Sequence, residues 1–266
     1  MPDTTKMDLH LHTKEGSLDG RADVISCALE LNNHGFTGMM VSDHNSYKGY
    51  IAYQQQKDKY PELKDFTVLK GLEYDTRDGG HVLIILPDAV ETAIFTVRGM
   101  TIRRLQLLVH SMGGICGMSH PYGNGYFAAM HTNHVKKNSR LQKGFDFIEV
   151  FNNHISDEAN KMAVELAERL KKPGTAGSDS HSMRFVGTAE TTFDVPVRSR
   201  DELIAAIMGG HITGAHKVEG TNIYPLSKGI IKWSGIFGYW VWNKGASVRN
   251  IRRRKKVFRN WKDEKK

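Results

Sequence analysis

Short apolar runs alternate with amphipathic segments over the first 220 residues, and several of the runs end in a histidine or an acidic residue. Read by period, the pattern predicts strands at 7–12, 38–42, 67–74, 81–86, 114–119, 145–151 and 174–178, with helices between them. Segment 23–33 sets Val24, Ala28 and Leu31 on one face, and segment 156–170 does the same with Ala159, Ala163, Leu166, Ala167 and Leu170. Ser156 followed by Asp157 and Glu158 marks a helix start. Gly209 and Gly210 mark the stop of a helix over 201–208. This alternation predicts an α/β fold, a barrel or a layered sheet.

Composition adds scale. With 266 residues and 39% hydrophobic content the chain can bury a substantial core. Two cysteines, Cys27 in a helical pattern and Cys116 in a strand pattern, are too few for a disulfide framework and are expected as core thiols in a reducing cytoplasm. No secretory signal precedes the strand beginning at Met7, and no apolar run reaches the length of a membrane span, so a cytoplasmic location is expected.

The net charge of +8 changes meaning once it is located. Residues 249–266 carry ten Lys or Arg against Asp263 and Glu264, which leaves the other 248 residues neutral overall. Just before them Trp233, Phe237, Tyr239, Trp240 and Trp242 crowd a glycine-containing stretch. A boundary near Thr221 is therefore expected, with a body over 1–220 and an aromatic, basic extension over 221–266.

Candidate chemistry lies at the ends of the strands. His10 and His12 are two apart, so they face the same way on an extended chain. His44, His120 and Asp179 each follow an apolar run, and the carboxyl ends of parallel strands share one rim in barrel enzymes. Glu73 ends a run and His81 begins one, with Asp78, Gly79 and Gly80 forming a turn between them. A strand starting at His81 must run against its neighbours if both side chains share that rim. Adding Asp19 and His181 gives nine candidate metal ligands of the imidazole and carboxylate type that suits zinc, manganese or iron.

At these positions the sequence resembles the polymerase and histidinol phosphatase (PHP) family. The resemblance rests on Asp8-Leu9-His10-Leu11-His12-Thr13, Ser17-Leu18-Asp19-Gly20, Ser42-Asp43-His44-Asn45, Gly71-Leu72-Glu73, His81, Ser119-His120-Pro121, Ile148-Glu149-Val150-Phe151-Asn152 and Gly177-Ser178-Asp179-Ser180-His181. It implies a distorted (β/α)7 barrel, two or three divalent ions (manganese, iron or zinc), and hydrolysis of a phosphate ester by a metal-bridging hydroxide. By the same resemblance His10, His12, Glu73 and Asp179 would hold one ion, Glu73, His81 and His120 a second, and Asp19, His44 and His181 a third. Glu73, Asp179 and His181 are the residues expected at the catalytic centre.

Three divalent ions against Asp19, Glu73 and Asp179 would leave an excess of +3, suited to a phosphate dianion. Asp8 and Asp43 neighbour ligand positions and are expected to orient imidazoles, although adjacent residues on a strand face opposite ways. Arg184 and Asn152 are the expected substrate contacts, and the helix-capping neighbourhood of His154 accounts for it without a place at the rim. His34, His110, His131, His134, His211 and His216 have no partners at informative spacing and read as surface or capping residues. No Gly-x-Ser-x-Gly elbow, phosphate-binding P-loop or dinucleotide glycine fingerprint is present.

Substrate remains open between a nucleotide, a sugar phosphate, a related monoester and a nucleic acid end. A C–N hydrolase of the amidohydrolase kind and a non-catalytic polyanion-binding module are the alternatives from other classes. The basic extension is expected to contact nucleic acid, to contact an anionic membrane surface, or to remain a solvated terminus.

Overall fold

A computed structural model describes residues 4–123, 125–221 and 230–263. The strands and helices in chain order are β1 (Thr5–Leu11), α1 (Val24–Asn33), β2 (Gly38–Val41), α2 (Lys48–Gln56), β3 (Thr67–Asp75), β4 (His81–Ile85), α3 (Ile102–Ser111), β5 (Ile115–Met118), α4 (Asn133–Lys136), α5 (Ser139–Lys143), β6 (Phe147–Asn152), α6 (Asp157–Leu170), β7 (Gly174–Gly177), β8 (Ala189–Phe193), α7 (Arg200–Gly209), β9 (Ile212–Lys217), α8 (Ile230–Arg249) and α9 (Ile251–Asp263).

One sheet of nine strands runs in the order β7-β6-β5-β4-β3-β2-β1-β8-β9. It has two strands more than the seven expected. β8 and β9 were not legible as strands because β9 buries none of its residues fully and neither carries a continuous apolar run. β1–β2, β2–β3, β5–β6 and β6–β7 pair in parallel, while β4 lies antiparallel to both neighbours, as the turn before His81 requires.

The sheet curls nearly closed. β8 takes the early half of the free edge of β1, through Thr5, Lys6 and Met7. The exit of β7 takes the later half: Asp179 N donates to His10 O at 2.7 Å and His12 N donates to Ser180 O at 3.0 Å. Gly177 permits this closure, because a Cβ there would stand 2.1 Å from Cβ of His10.

At the end away from the histidines the interior is filled by Met7, Leu9, Met40, Leu69, Leu83, Ile85 and Phe147, and Leu203 and Ile207 of α7 cap it. A second cluster lies between β2, α1 and α2, and a third between β3–β6, α3 and α6. The helix signals act as expected: Ser156 accepts from Ala159 N at the start of α6, and Gly210 at φ 80° ends α7. Cys27 and Cys116 are buried free thiols.

The C-terminal helices, expected as an appendage, pack on the barrel. Ala246 and Ser247 are buried, and Val257, Phe258 and Trp261 lie against the α3-side core. Arg104 stacks over Phe258 at 4.7 Å. The end of the basic run, Glu264 to Lys266, lies outside the described residues, as does segment 222–229. No helix among the described residues is long and apolar enough to cross a membrane.

Candidate metal centre

All nine expected ligands converge on one rim, and the backbone shows how. In β1 the register shifts between Asp8 and Leu11, so Leu9 stays in the interior cluster while His10 and His12 turn into the centre, with Nε2 atoms 3.2 Å apart. His44 leaves β2, His120 leaves β5, and Asp179 and His181 leave β7. His120 and Asp179 have left-handed backbones, φ 28° and 51°, as does Asn45 beside His44 at φ 48°. Three of the four non-glycine residues with positive φ among the described residues therefore lie at this rim, where the surrounding structure must hold the strain.

Glu73 is the hub. Its carboxylate oxygens lie 3.4 Å from Nε2 of His10 and of His12, 3.1 Å from Nδ1 of His44, 3.2 Å from Nδ1 of His81 and 3.1 Å from Nε2 of His120. Asp179 lies 3.1 Å from His12 and 3.5 Å from His10. At the mouth, Asp19 Oδ2 lies 3.3 Å from His181 and 3.8 Å from His44. At this rim three sets of ligand atoms lie close enough to share an ion: His10, His12 and Glu73; His44, Glu73 and His81; and His12, His44 and His181. The second and third of these differ from the expected grouping, with His44 beside Glu73 and His81 and with His12 beside His44 and His181.

The donor set fits divalent metal. His44 Nδ1, both ring nitrogens of His81 and Glu73 Oε2 are buried without an aligned hydrogen bond, although carboxylate and imidazole stand about 3.1–3.2 Å apart. Buried polar atoms in native folds are almost always satisfied, so a cluster that is not points to a bound cation.

Electrostatics agree. Burial pushes Glu73 upward, but the imidazoles of His81, His10 and His44 overcome it and hold this carboxyl well below the usual range. Burial lowers His81, yet Glu73 and Asp75 outweigh it and push the ring up to about 10. Without metal, Glu73 and His81 charge each other.

Two acidic residues that sequence reading did not assign complete the centre. Asp75 lies 3.3 Å from His44 and 3.1 Å from His81, and its other oxygen meets Arg98 at 3.0 Å and Asn45 at 2.6 Å. It follows Glu73 by two residues on β3, so strand parity alone marked it. Glu149 accepts from His10 Nδ1 at 2.8 Å, from His120 N at 2.6 Å and from Asn152 Nδ2 at 3.1 Å. A buried glutamate inside the apolar run of β6 was the signal for it.

These hydrogen bonds fix tautomers. Ser17 has one hydroxyl proton and gives it to Asp43 at 3.0 Å, so towards His12 Nδ1, 3.1 Å away, it must accept. The proton of His12 is thus held on Nδ1 and its Nε2 lone pair faces the centre. Glu149 does the same for His10, and the Asp179 carbonyl, 2.8 Å from Nδ1, does the same for His181. Asp43 acts on His12 through Ser17. Asp8 accepts from His10 N and Ser178 N, and burial pushes it up to about 6 against the lowering effect of its hydrogen bonds to Ser178 and His10.

The expected substrate contacts fare differently. Asn152 is buried, both protons of its amide go to Glu149 and to Asp179 Oδ2 at 3.2 Å, and its Oδ1 accepts from the backbone N–H of His154, so it braces Asp179. Arg184 is solvent-exposed and lies beside the Phe185 ring. Arg21 lines the opening, together with Asp19, His154, His181, Ser182 and Phe185. His154 is a rim residue: its ring lies 5.2 Å from that of His181, and burial depresses it to about 4. The histidines set aside are peripheral, with His34 capping α1 and His110, His134, His211 and His216 paired with Asp146, Asp78, Asp194 and Glu190.

The family model described as PHP-associated matches residues 157–211, from α6 through Asp179 and His181 to the end of α7. That match spans 55 of the 266 residues. No curated protein matches the chain. Among solved structures it is similar to PsfC from Pseudomonas syringae, at 17% identity and a TM-score of 0.58, over 88% of this chain and 98% of that one. A two-domain protein of Bacteroides vulgatus containing a predicted PHP-like metal-dependent phosphoesterase aligns at 17% identity and TM-score 0.56, over 79% of this chain and 64% of that one. The lesion-specific endonuclease PfuEndoQ from Pyrococcus furiosus aligns at 15% identity and TM-score 0.54, over 89% and 66%. These likenesses establish the PHP fold.

Proposed function

We propose that this PHP domain is a metal-dependent phosphoester hydrolase with two or three divalent ions, of manganese, iron or zinc, held by His10, His12, Asp19, His44, Glu73, His81, His120, Asp179 and His181, with Asp75 added to that set. The observation that carries the reading is the sharing of Glu73, His12 and His44 among three adjacent ligand triads, since shared ligands are what a polynuclear centre requires. When bound, such ions acidify water and neutralise charge on a transferring phosphoryl group.

The chain's own residues supply the rest. Glu149, Ser17 and the Asp179 carbonyl hold ring protons on Nδ1 of His10, His12 and His181. Asn152 and Glu149 fix the orientation of Asp179 and of the His120 backbone. Counting Asp75 and Glu149, three ions at +6 face five carboxylates, and Arg98 beside Asp75 returns one positive charge, for an excess of +2. An ester with two negative charges matches this field. Arg21 at the opening is the cation placed to meet it.

The test is metal analysis of the purified protein with turnover of a panel of phosphate mono- and diesters after loading each ion. More than one equivalent of metal and release of phosphate or alcohol is the expected result. Metal without turnover of any ester would sink the reading, and turnover confined to amides would replace it with the C–N hydrolase.

A second reading, a polyanionic substrate, is favoured by α9, where Arg252, Arg253, Lys255, Lys256 and Arg259 face solvent. Arg253 lines a cavity with Lys48 and Lys70 that shares Gly16 with the mouth of the metal centre.

A further inference from the structure

Beside the metal centre a cavity of about 260 Å³ is lined by Gly16, Leu18, Asp19, His44, Arg98 and Trp242. Two of these, Asp19 and His44, belong to the proposed ligand set. Trp242 comes from α8, in the extension. The remaining lining is apolar or bears one cation, which is unusual beside a rim otherwise built of imidazoles and carboxylates.

The position of Trp242 is built. Arg98 extends from the loop before α3, and its Nη1 pairs with Asp75 Oδ2 at 3.0 Å while its Cζ sits 4.2 Å from the centroid of the Trp242 ring. The guanidinium thereby joins a carboxylate of the metal centre to an indole of the extension, a stacked geometry that Arg favours.

That loop is itself fixed to the rim. Tyr74 donates to Val97 O at 2.7 Å and accepts from Met100 N at 3.0 Å, and Gly99 N donates to Asp75 O at 3.0 Å. The helices then dock on the loop. Gly99, at φ 97°, lies so close that a Cβ would stand 2.5 Å from Ser247 Oγ of α8. Arg254 of α9 donates to Arg98 O at 2.6 Å, and Lys244 of α8 donates to Arg77 O. Trp242 is thus held over the opening by contacts that begin at Tyr74 and Asp75.

A cavity just below the usual size range of small-ligand sites accepts one planar ring system and little more. Its walls offer an indole, the exposed side chain of Leu18 and a stacked guanidinium, which recognise flat aromatic surface. Its floor is the metal rim. We infer that this cavity is the subsite for a planar organic group carried by the phosphate ester, a nucleobase or comparable aromatic ring, and that Trp242 sets that preference. The inference rests on the phosphoesterase reading and adds to it the substrate class and a role for the extension.

The experiment compares the metal-loaded full chain with Trp242→Ala and Trp242→Phe on two esters, a nucleoside monophosphate and glycerol phosphate, and measures binding of the nucleoside monophosphate by calorimetry. Wild type should prefer the nucleotide, and Trp242→Ala should lower the nucleotide-to-glycerol-phosphate ratio of kcat/KM by about tenfold, mostly through KM, because stacking on one aromatic side chain contributes about 1–3 kcal/mol per base. Trp242→Phe should restore most of that ratio and of the calorimetric affinity. Equal losses on both esters, or an unchanged ratio and affinity, would overturn the inference. If no ester is turned over at all, the phosphoesterase reading fails by itself. Nucleotide binding then still decides the subsite: a tenfold loss in Trp242→Ala supports it and equal affinity overturns it.

Discussion

Oε1 of Glu149 lies 2.8 Å from Nδ1 of His10, both fully buried, and the other oxygen of the same carboxylate accepts from the backbone of His120. One carboxylate therefore sets a ring on β1 and a backbone turn after β5. Glu149→Ala should weaken metal binding by roughly 10- to 100-fold, the usual cost of removing a carboxylate behind a ligating imidazole. Competition with a chelator measures this, and an unchanged far-UV spectrum separates it from unfolding.

Glu73 and Asp19 should part company. Glu73 is buried against five imidazoles, whereas the Asp19 side chain is about half exposed and touches two. Glu73→Gln should lose most of the bound metal and Asp19→Asn a smaller share, as counted by elemental analysis of protein purified without added metal. Equal metal content in the two variants would remove Glu73 from its bridging position.

Acidity should control metal uptake. His81 is raised from its ordinary value of 6.5 to about 10 by Glu73 and Asp75 acting against burial, so in the metal-free protein it stays protonated across neutral pH. A group raised on folding stabilises fully below its unfolded value and ceases to do so as pH climbs through its folded value. The metal-free protein should therefore lose thermal stability between about pH 6.5 and 10, while metal affinity rises over the same window as protons leave. Calorimetry in buffers of differing ionisation enthalpy counts those protons, and zero release at pH 7.5 would contradict the assignment of His81 as a ligand.

How much of this was legible in the sequence depends on what each residue answers to. Strand-end histidines answer to local periodicity, so the shared rim of His10, His12, His44 and His120 was legible, whereas Asp19 lies in the loop after β1 and was marked only by the family resemblance; the reversed strand β4 followed from Asp78-Gly79-Gly80. Asp75 and Glu149 answer to parity within buried strands and were legible in principle. Ser17 as the link between Asp43 and His12 was not, because it depends on how the loop after β1 folds back over the exit of β2. Trp242 was visible as an aromatic in a basic neighbourhood, but its place over the rim depends on the 97–100 loop, which pairs with nothing nearby in sequence.

Backbone proximity at the barrel seam gives a stability prediction. Gly177→Ala would drive a methyl to within 2.7 Å of His10 N, so the seam must open or β1 must shift. A loss of about 1–3 kcal/mol is expected, the usual range for overpacking, with metal affinity falling as well. Denaturant unfolding with and without metal reads both.

The solvent-facing cations of α9 should matter only to large anions. Replacing Arg252, Lys255, Lys256 and Arg259 with Glu should weaken binding to single-stranded nucleic acid and flatten its salt dependence, by up to about 0.7 in slope per lost phosphate contact. Glycerol phosphate turnover should change little. Identical salt slopes for the two proteins would leave α9 without a polyanion role.

The antiparallel strand β4 has a consequence for assembly. Because it turns back at once, Glu73, Asp75 and His81 reach the rim within a single hairpin, whereas the β1–β7 seam joins positions about 170 apart in the chain, as Ser178 to Asp8 shows. Closing the longer loop costs roughly 3 kcal/mol more entropy than closing the hairpin. A cation held, as proposed, by Glu73, His10, His12 and Asp179 would tie the short closure to the long one, so that in this barrel chelation would also serve as a clasp across the seam.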